Sequence, residues 1–221
     1  MKIPKPNVRA FTVLELMVVV VVLGVLTSIV LPALARAQAR ANRIRCTGYL
    51  KQMGIAFRIF HQDNGDYPMR FRTNNFDGPS FARDTQMFKY FQALSNELTS
   101  PVMLACPADK QRTVARDLTT DFNSSHVSYF VGLNADETIP TSLLAGDRNL
   151  TNGIAPNNGV LEITTNQVSD TNNWAVGWTT EIHQGVGNVL FADSHVEQLT
   201  SSKLRDALRT SGLATNRLVL P

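Results

Sequence analysis

From Phe11 to Leu31 the chain reads FTVLELMVVVVVLGVLTSIVL, twenty-one residues with Glu15 as the sole charge. A helix over this run is ~30 Å long at 1.5 Å per residue, which matches the hydrocarbon thickness of a bilayer. That excludes a plain soluble enzyme and makes one membrane pass the first expectation. A cleaved secretory signal would have a shorter apolar core, ~7–15 residues, followed by small residues at the cut. Helical character does not stop at Leu31. Pro32 is followed by thirty residues without another proline, rich in Ala, Leu, Arg and Gln, so one helix of ~50 residues, bent at Pro32, is expected. The remainder of a 221-residue chain leaves room for one domain of ordinary size.

Charge is partitioned along the chain. Lys2, Lys5 and Arg9 supply the whole net +3, because the other side chains balance at 18 basic and 18 acidic. Residues 33–62 carry six Lys or Arg and no acid, whereas 63–221 carry 12 basic and 17 acidic residues. A basic neck under an acidic head favours contact between stacked copies and with anionic lipid head groups. A basic stripe can also hold nucleic-acid phosphates, but the head lacks a basic patch, and nucleic acid is not expected as a partner. Glu15 is costly in a bilayer helix, ~2.5–3.5 kcal/mol at its centre. It therefore calls for a counter-charge, or for a place near the interface where it favours the helix amino-terminal dipole.

The segment Arg9-Ala10-Phe11-Thr12-Val13-Leu14-Glu15-Leu16 resembles the processing site of type IV pilins and type II secretion pseudopilins. The resemblance implies a leader, residues 1–10, cut between Ala10 and Phe11 by a prepilin peptidase, and N-methylation of Phe11. It further implies that Glu15 pairs with the Phe11 amine of a neighbouring subunit, and that Pro32 is the family's helix-bending proline. The residue before the cut is usually Gly, and here it is Ala10. Five basic residues, Arg36 to Lys51, closely follow the span against three before it. Counting alone puts the bulk of the chain in the cytoplasm. The resemblance implies the reverse: inner membrane, single pass, head in the periplasm. Implied partners are the membrane, an inner-membrane assembly platform and other pseudopilin subunits in a homo- or hetero-polymer.

Beyond Leu31 the helix changes face. Leu34, Ala37, Ala41 and Ile44 share one side, and Cys46, Tyr49, Leu50, Met53, Phe57 and Phe60 another, a turn of roughly 140° near Gly48. The first stripe is expected to meet neighbours in a polymer and the second to be the spine of the head. The helix should end at Asp63-Asn64-Gly65-Asp66, before Tyr67-Pro68. Calcium at Asp63 and Asp66 is an alternative to a capping turn there, but the other ligands of an EF-hand loop are missing. A second helix is expected over Asp84 to Leu98. Strands are expected at Val102–Cys106, Val127–Gly132, Leu143–Ala145, Trp174–His183, Gly187–Ala192 and His195–Leu199, with a last helix over Lys203–Thr210 capped by Ser202. The stretch Asp147 to Asn173 reads as a loop or a weak edge strand. The fold class is α+β: a long transmembrane helix (11–31), its amphipathic continuation (32–62), and a small head (63–221) built on an antiparallel sheet.

Three further features concern the head. His183 and Asp193 with nine residues between them, in HQGVGNVLFADS, resemble the carboxy-terminal H-X9-DG segment of many prepilin-type proteins, with Ser194 in place of the final Gly. LACPAD around Cys106 adds to that resemblance. Cys46 and Cys106 are either a disulfide, which an exported location permits, or two small buried thiols. His183, Asp193 and His195 read as a turn-stabilising set rather than a metal or hydrolytic cluster. No G-x-S-x-G elbow, P-loop or HExxH helix occurs, so no catalytic residue and no metal is expected. The expected function is a structural pseudopilin subunit. The alternatives are a minor type IV pilin for adhesion or DNA uptake, and a membrane-anchored hydrolase using His183 and Asp193.

Overall fold

A computed structural model describes residues 12–82, 86–169 and 176–221, which fall into two compact units divided after Ala41. Helix α1 runs Val13–Asn64 and passes through Pro32 without a break in helical assignment. In the first unit every side chain from Thr12 to Gln38 is exposed, and the apolar stretch is long enough to cross a membrane. Two hydroxyls within it are satisfied by the helix backbone, Thr27 Oγ1 donating to Leu23 O and Ser28 Oγ to Val25 O. Neither needs water.

From Cys46 onward α1 has a buried face. Cys46, Leu50, Met53, Phe57 and Phe60, spaced four, three, four and three residues apart, lie on one side and are buried, whereas Ile44, Ile55 and Ile59 are exposed. The helix ends at Asn64, with Gly65 in the left-handed region at φ 83° and its N–H donating to His61 O. In the turn that follows, Asp66 accepts from Tyr67 N and Arg70 Nε, so its carboxylate already faces a guanidinium.

The centre of the head is a six-stranded antiparallel sheet. In chain order the strands are β1 (Arg72–Thr73), β2 (Phe76–Asp77), β3 (Tyr129–Gly132), β4 (Leu143–Asp147), β5 (Leu150–Thr151), β6 (Val160–Thr164), β7 (Gly177–Trp178), β8 (Val186–Phe191), β9 (Val196–Thr200) and β10 (Thr215–Val219). The large sheet has the order β6-β10-β3-β4-β8-β9, while β1-β2 and β5-β7 form two small pairs. The remaining helices are α2 (Phe88–Ala93), α3 (Thr165–Ser169) and α4 (Ser201–Thr210). Tyr129, Val131, Leu144, Leu190 and Val219 pack with the α1 spine in one core, and Phe130, Leu143, Val189, Phe191 and Leu218 pack with Leu204 and Leu208 of α4 in the other. The central strands are covered on both faces. They therefore read as continuous apolar runs rather than as alternating ones.

Several elements differ from the sequence reading. Val102–Cys106 is no strand: Pro101–Leu104 is a 3-10 turn, with Pro101 at its start and Ser100 Oγ accepting from Val102 N at 3.3 Å. The second helix shrinks to α2, because hydrogen bonds shift to i→i+3 at Leu94 and Ser95, although Phe91, Leu94 and Leu98 keep the buried spacing. Asp84 lies outside the described residues, as does the start of the expected Trp174–His183 strand. What is described of that strand pairs only through Gly177–Trp178. The Asp147–Asn173 stretch contains β5, β6 and α3. Strand β10 was not expected, and it lies inside the sheet between β6 and β3. Thr200 rather than Ser202 caps α4, its side chain accepting from Lys203 N.

Candidate functional site

Two regions hold the residues singled out by sequence. The first is the start of α1. Ala10 and Phe11 lie outside the described residues. Glu15 forms a reciprocal cap with Thr12: Thr12 N and Thr12 Oγ1 each donate to Glu15 Oε2 at 2.9 Å, and Glu15 N donates to Thr12 Oγ1 at 3.2 Å. This is the capping box of a T-x-x-E sequence, which satisfies otherwise orphaned helix-start donors. The pattern Thr12-Val13-Leu14-Glu15 was legible as such a box, and the sequence reading passed over it. Within a single chain, Glu15 has partners without any neighbour.

The second region surrounds the H-X9-D segment. A disulfide joins Cys46 of α1 to Cys106. His183 packs on it, with Nε2 3.4 Å from Cys106 Sγ and 3.5 Å from Asp147 Oδ2 at the end of β4. The backbone there is unusual, since His183, Gln184 and Gly185 all have positive φ, 55°, 59° and 82°. Two side chains hold it. Arg43 of α1 donates from Nη2 to His183 O at 3.0 Å, and Asn149 Nδ2 donates to Thr179 O and Ile182 O at 2.9 Å. Asn188 donates from its N–H and its Nδ2 to Asp147 Oδ2, at 2.7 and 2.9 Å, while Thr47 of α1 donates to Asn188 Oδ1 at 3.2 Å. The segment thus fastens α1 to β4 and β8.

Burial governs the charges. It pushes the Asp147 carboxyl up to about 7, against the lowering effect of the two Asn188 hydrogen bonds and with help from the Asp109 charge. It pulls His183 down to about 4, Arg43 acting in the same direction and Asp109 against it. His183 is therefore a neutral imidazole at pH 7. Oδ1 of Asp147 is buried without a hydrogen-bond partner.

The other half of the segment is a hairpin turn. Ser194 N donates to Phe191 O, Phe191 N donates to His195 O, and Ser194 is left-handed at φ 72°. That is a type I turn closed by a G1 bulge, the position at which glycine is favoured. Ser194 adopts the glycine conformation rather than changing the turn. Asp193 Oδ1 accepts from His195 N at 3.0 Å and faces His195 Nδ1, while the His195 ring stacks on Phe191. Tyr67 OH donates to Ala192 O, joining this turn to the one that ends α1. His183 thus works with Cys106 and Asp147, whereas Asp193 works with His195. Arg43, Asp147, Asn149 and Asn188 were not singled out by sequence, since single polar residues in loops and strands carry no spacing signal.

The chain matches a family profile described as the Prokaryotic N-terminal methylation motif over residues 5–31. It is 40% identical over 60 residues to the type II secretion system core protein G of Pectobacterium carotovorum subsp. carotovorum, covering 27% of this chain and 38% of that protein. The corresponding protein of Klebsiella pneumoniae is 42% identical over 60 residues, covering 27% and 43%, and that of Escherichia coli K12 is 37% identical over 60, covering 27% and 41%. The chain spans about two fifths of the length of the curated relatives it matches. No solved structure matches it significantly. With a methylation motif at its amino terminus and a long apolar helix leading into an antiparallel-sheet head, the chain is similar to type IV pilin-like proteins.

Proposed function

We propose that the chain is a structural pseudopilin subunit, stored in the bacterial inner membrane by its amino-terminal helix with the head in the periplasm. A prepilin peptidase cuts between Ala10 and Phe11, Phe11 is N-methylated, and an assembly platform draws the helix into a filament with other subunits. The observation that supports this most is the methylation motif over residues 5–31, together with a helix whose side chains up to Gln38 are all exposed in the single chain. Such a surface is covered by lipid before assembly and by neighbouring helices after it. Glu15 is the polar feature of this packing. In a filament its carboxylate would exchange some of the Thr12 hydrogen bonds for the charged Phe11 amine of the next subunit, an interaction strengthened by the dry surroundings.

On this reading the chemistry of the protein is assembly. The reading does not use His183 and Asp193 as a catalytic pair: His183 is buried against a disulfide, and Asp193 is turned to His195. The test is the mass of the mature amino terminus. Chain recovered from membranes that contain the active peptidase should begin at Phe11 and carry one added methyl group. An intact Met1 terminus there would overturn the proposal.

A further inference from the structure

Cys46, Cys106, Asp147 and His183 come from α1, the segment after the 3-10 turn, the end of β4 and the loop before β8, and all four are buried. The ligand atoms of Cys46, Cys106 and His183 lie within 4.8 Å of one another. The fourth group, the Asp147 carboxylate, has one oxygen 3.5 Å from His183 Nε2 and the other buried without a hydrogen-bond partner. We propose that when Cys46 and Cys106 are thiols, this pocket is a tetrahedral zinc-class site whose ligands are the two sulfurs, His183 Nε2 and an Asp147 oxygen.

Around a tetrahedral zinc with Zn–S ~2.3 Å and Zn–N or Zn–O ~2.0 Å, the ligand atoms lie ~3.5 Å apart for S···N and ~3.3 Å for N···O. The observed separations are 3.4 Å for Cys106 Sγ to His183 Nε2 and 3.5 Å for His183 Nε2 to Asp147 Oδ2. Two of the six edges of the tetrahedron are therefore in place. The two sulfurs must part to ~3.8 Å once the covalent bond is gone, and the Asp147 carboxylate, which stands outside the 4.8 Å cluster of the other three, must close on them. The donor set is also selective, because two thiolates with an imidazole and a carboxylate suit zinc or cobalt rather than magnesium or calcium. Outer contacts are built as well: Asn188 orients the Asp147 carboxylate with two hydrogen bonds, and Arg43 holds the His183 backbone.

The two forms exclude each other, since they use the same sulfur atoms. Reduction by a phosphine consumes one water and yields two thiols and the phosphine oxide. Zinc then displaces one proton from each thiol. Either way α1 is tied to the sheet, covalently when oxidised and through the metal when reduced. The site is independent of the filament reading.

The test uses the full-length chain in detergent, denatured with an excess of phosphine and refolded anaerobically with cobalt(II) as the probe. One cobalt should bind per chain, with thiolate-to-metal charge-transfer absorption and the intense visible bands of a tetrahedral ion. One equivalent of zinc should bleach both. The oxidised chain should show neither. His183→Ala should weaken cobalt binding at least ~100-fold, and Asp147→Asn by roughly 10–100-fold. Zinc should also slow reoxidation of the wild-type thiols by a small-molecule disulfide, a readout that needs no variant to fold. A reduced wild-type chain lacking the thiolate–cobalt absorption overturns the site. So does cobalt binding indifferent to His183→Ala, or reoxidation at the same rate with and without zinc.

Discussion

Glu15 has two claims on its carboxylate, the Thr12 cap within its own chain and the charged amine of a neighbour in the proposed filament. Two substitutions separate them. Glu15→Gln keeps a capping-box residue while removing the charge, and Glu15→Leu removes both. If the amine pairing matters, both variants should insert into membranes and both should fail to polymerise, read as filament yield by microscopy. Polymerisation by Glu15→Gln alone would instead assign the role to the cap. Ser194, left-handed in the hairpin bulge, gives a second residue-scale expectation. Ser194→Gly should stabilise the chain by about 0.5–1 kcal/mol in denaturant unfolding, since a left-handed L-residue costs roughly 1–2 kcal/mol and glycine returns part of the gain as unfolded-state entropy. Asp147 and His183 give a third. Asp147 is raised to about 7, so on its own it favours folding at low pH and loses that contribution as pH rises from ~4 through about 7. His183, depressed to about 4, favours folding above its unfolded value of ~6.5 and loses that as pH falls towards 4. Between pH 4 and 6.5 the two slopes oppose, because the proton carried by the imidazole of the unfolded chain sits on Asp147 in the folded one. Unfolding free energy should therefore be nearly flat there for the wild-type oxidised chain, rise with pH for Asp147→Asn and fall with pH for His183→Asn. A wild-type slope as steep as either variant's would contradict that distribution of the proton.

Helix α1 is one element under two sets of demands. Up to Gln38 its side chains are all exposed, and from Cys46 it supplies the buried spine of the head. A chain beginning at Asn42 should be soluble and unfold cooperatively, whereas one beginning at Asp63 should not fold, because it lacks Leu50, Met53 and Phe57 at the centre of the core. Phe57→Ala should cost ~3–5 kcal/mol in the chain beginning at Asn42 as a fully buried aromatic is lost. Equal stability of the two truncated chains would show that the spine is dispensable. This face was legible because a helix repeats its face every three to four residues, and five large or sulfur-bearing side chains kept that rhythm. Strand β10 was not legible for the converse reason. Its sequence Thr215-Asn216-Arg217-Leu218-Val219 has only two apolar residues, and its place depends on pairing with β6 and β3, more than 50 and 80 residues earlier. The run Val102–Cys106 misled in the other direction, since its apolar content suits a strand but Pro101 and the Ser100 cap favour a 3-10 turn.

On the scale of the molecule, the Cys46–Cys106 bond closes a loop across 60 residues and joins α1 to the body of the head. Replacing both cysteines by Ala should destabilise the oxidised chain by on the order of 4 kcal/mol in the chain-entropy account, measured by denaturant unfolding with and without reductant. Wild-type protein under reductant, without metal, should lose a similar amount. Features that depend on neighbours along the chain are legible in the amino-acid sequence. The membrane-length run, the processing-site resemblance, the end of α1 at Asn64-Gly65, the face of its spine and the β8–β9 hairpin all rest on local periodicity, turn chemistry or motif spacing. Other features depend on which distant segments meet: the strand order β6-β10-β3-β4-β8-β9, and the gathering of Arg43, Asp147, Asn149 and Asn188 around His183. The physical reason is that a buried polar residue is tolerated only where its partners converge on it. Those partners are set by the packing of a helix against a sheet, so no spacing within the chain announces them.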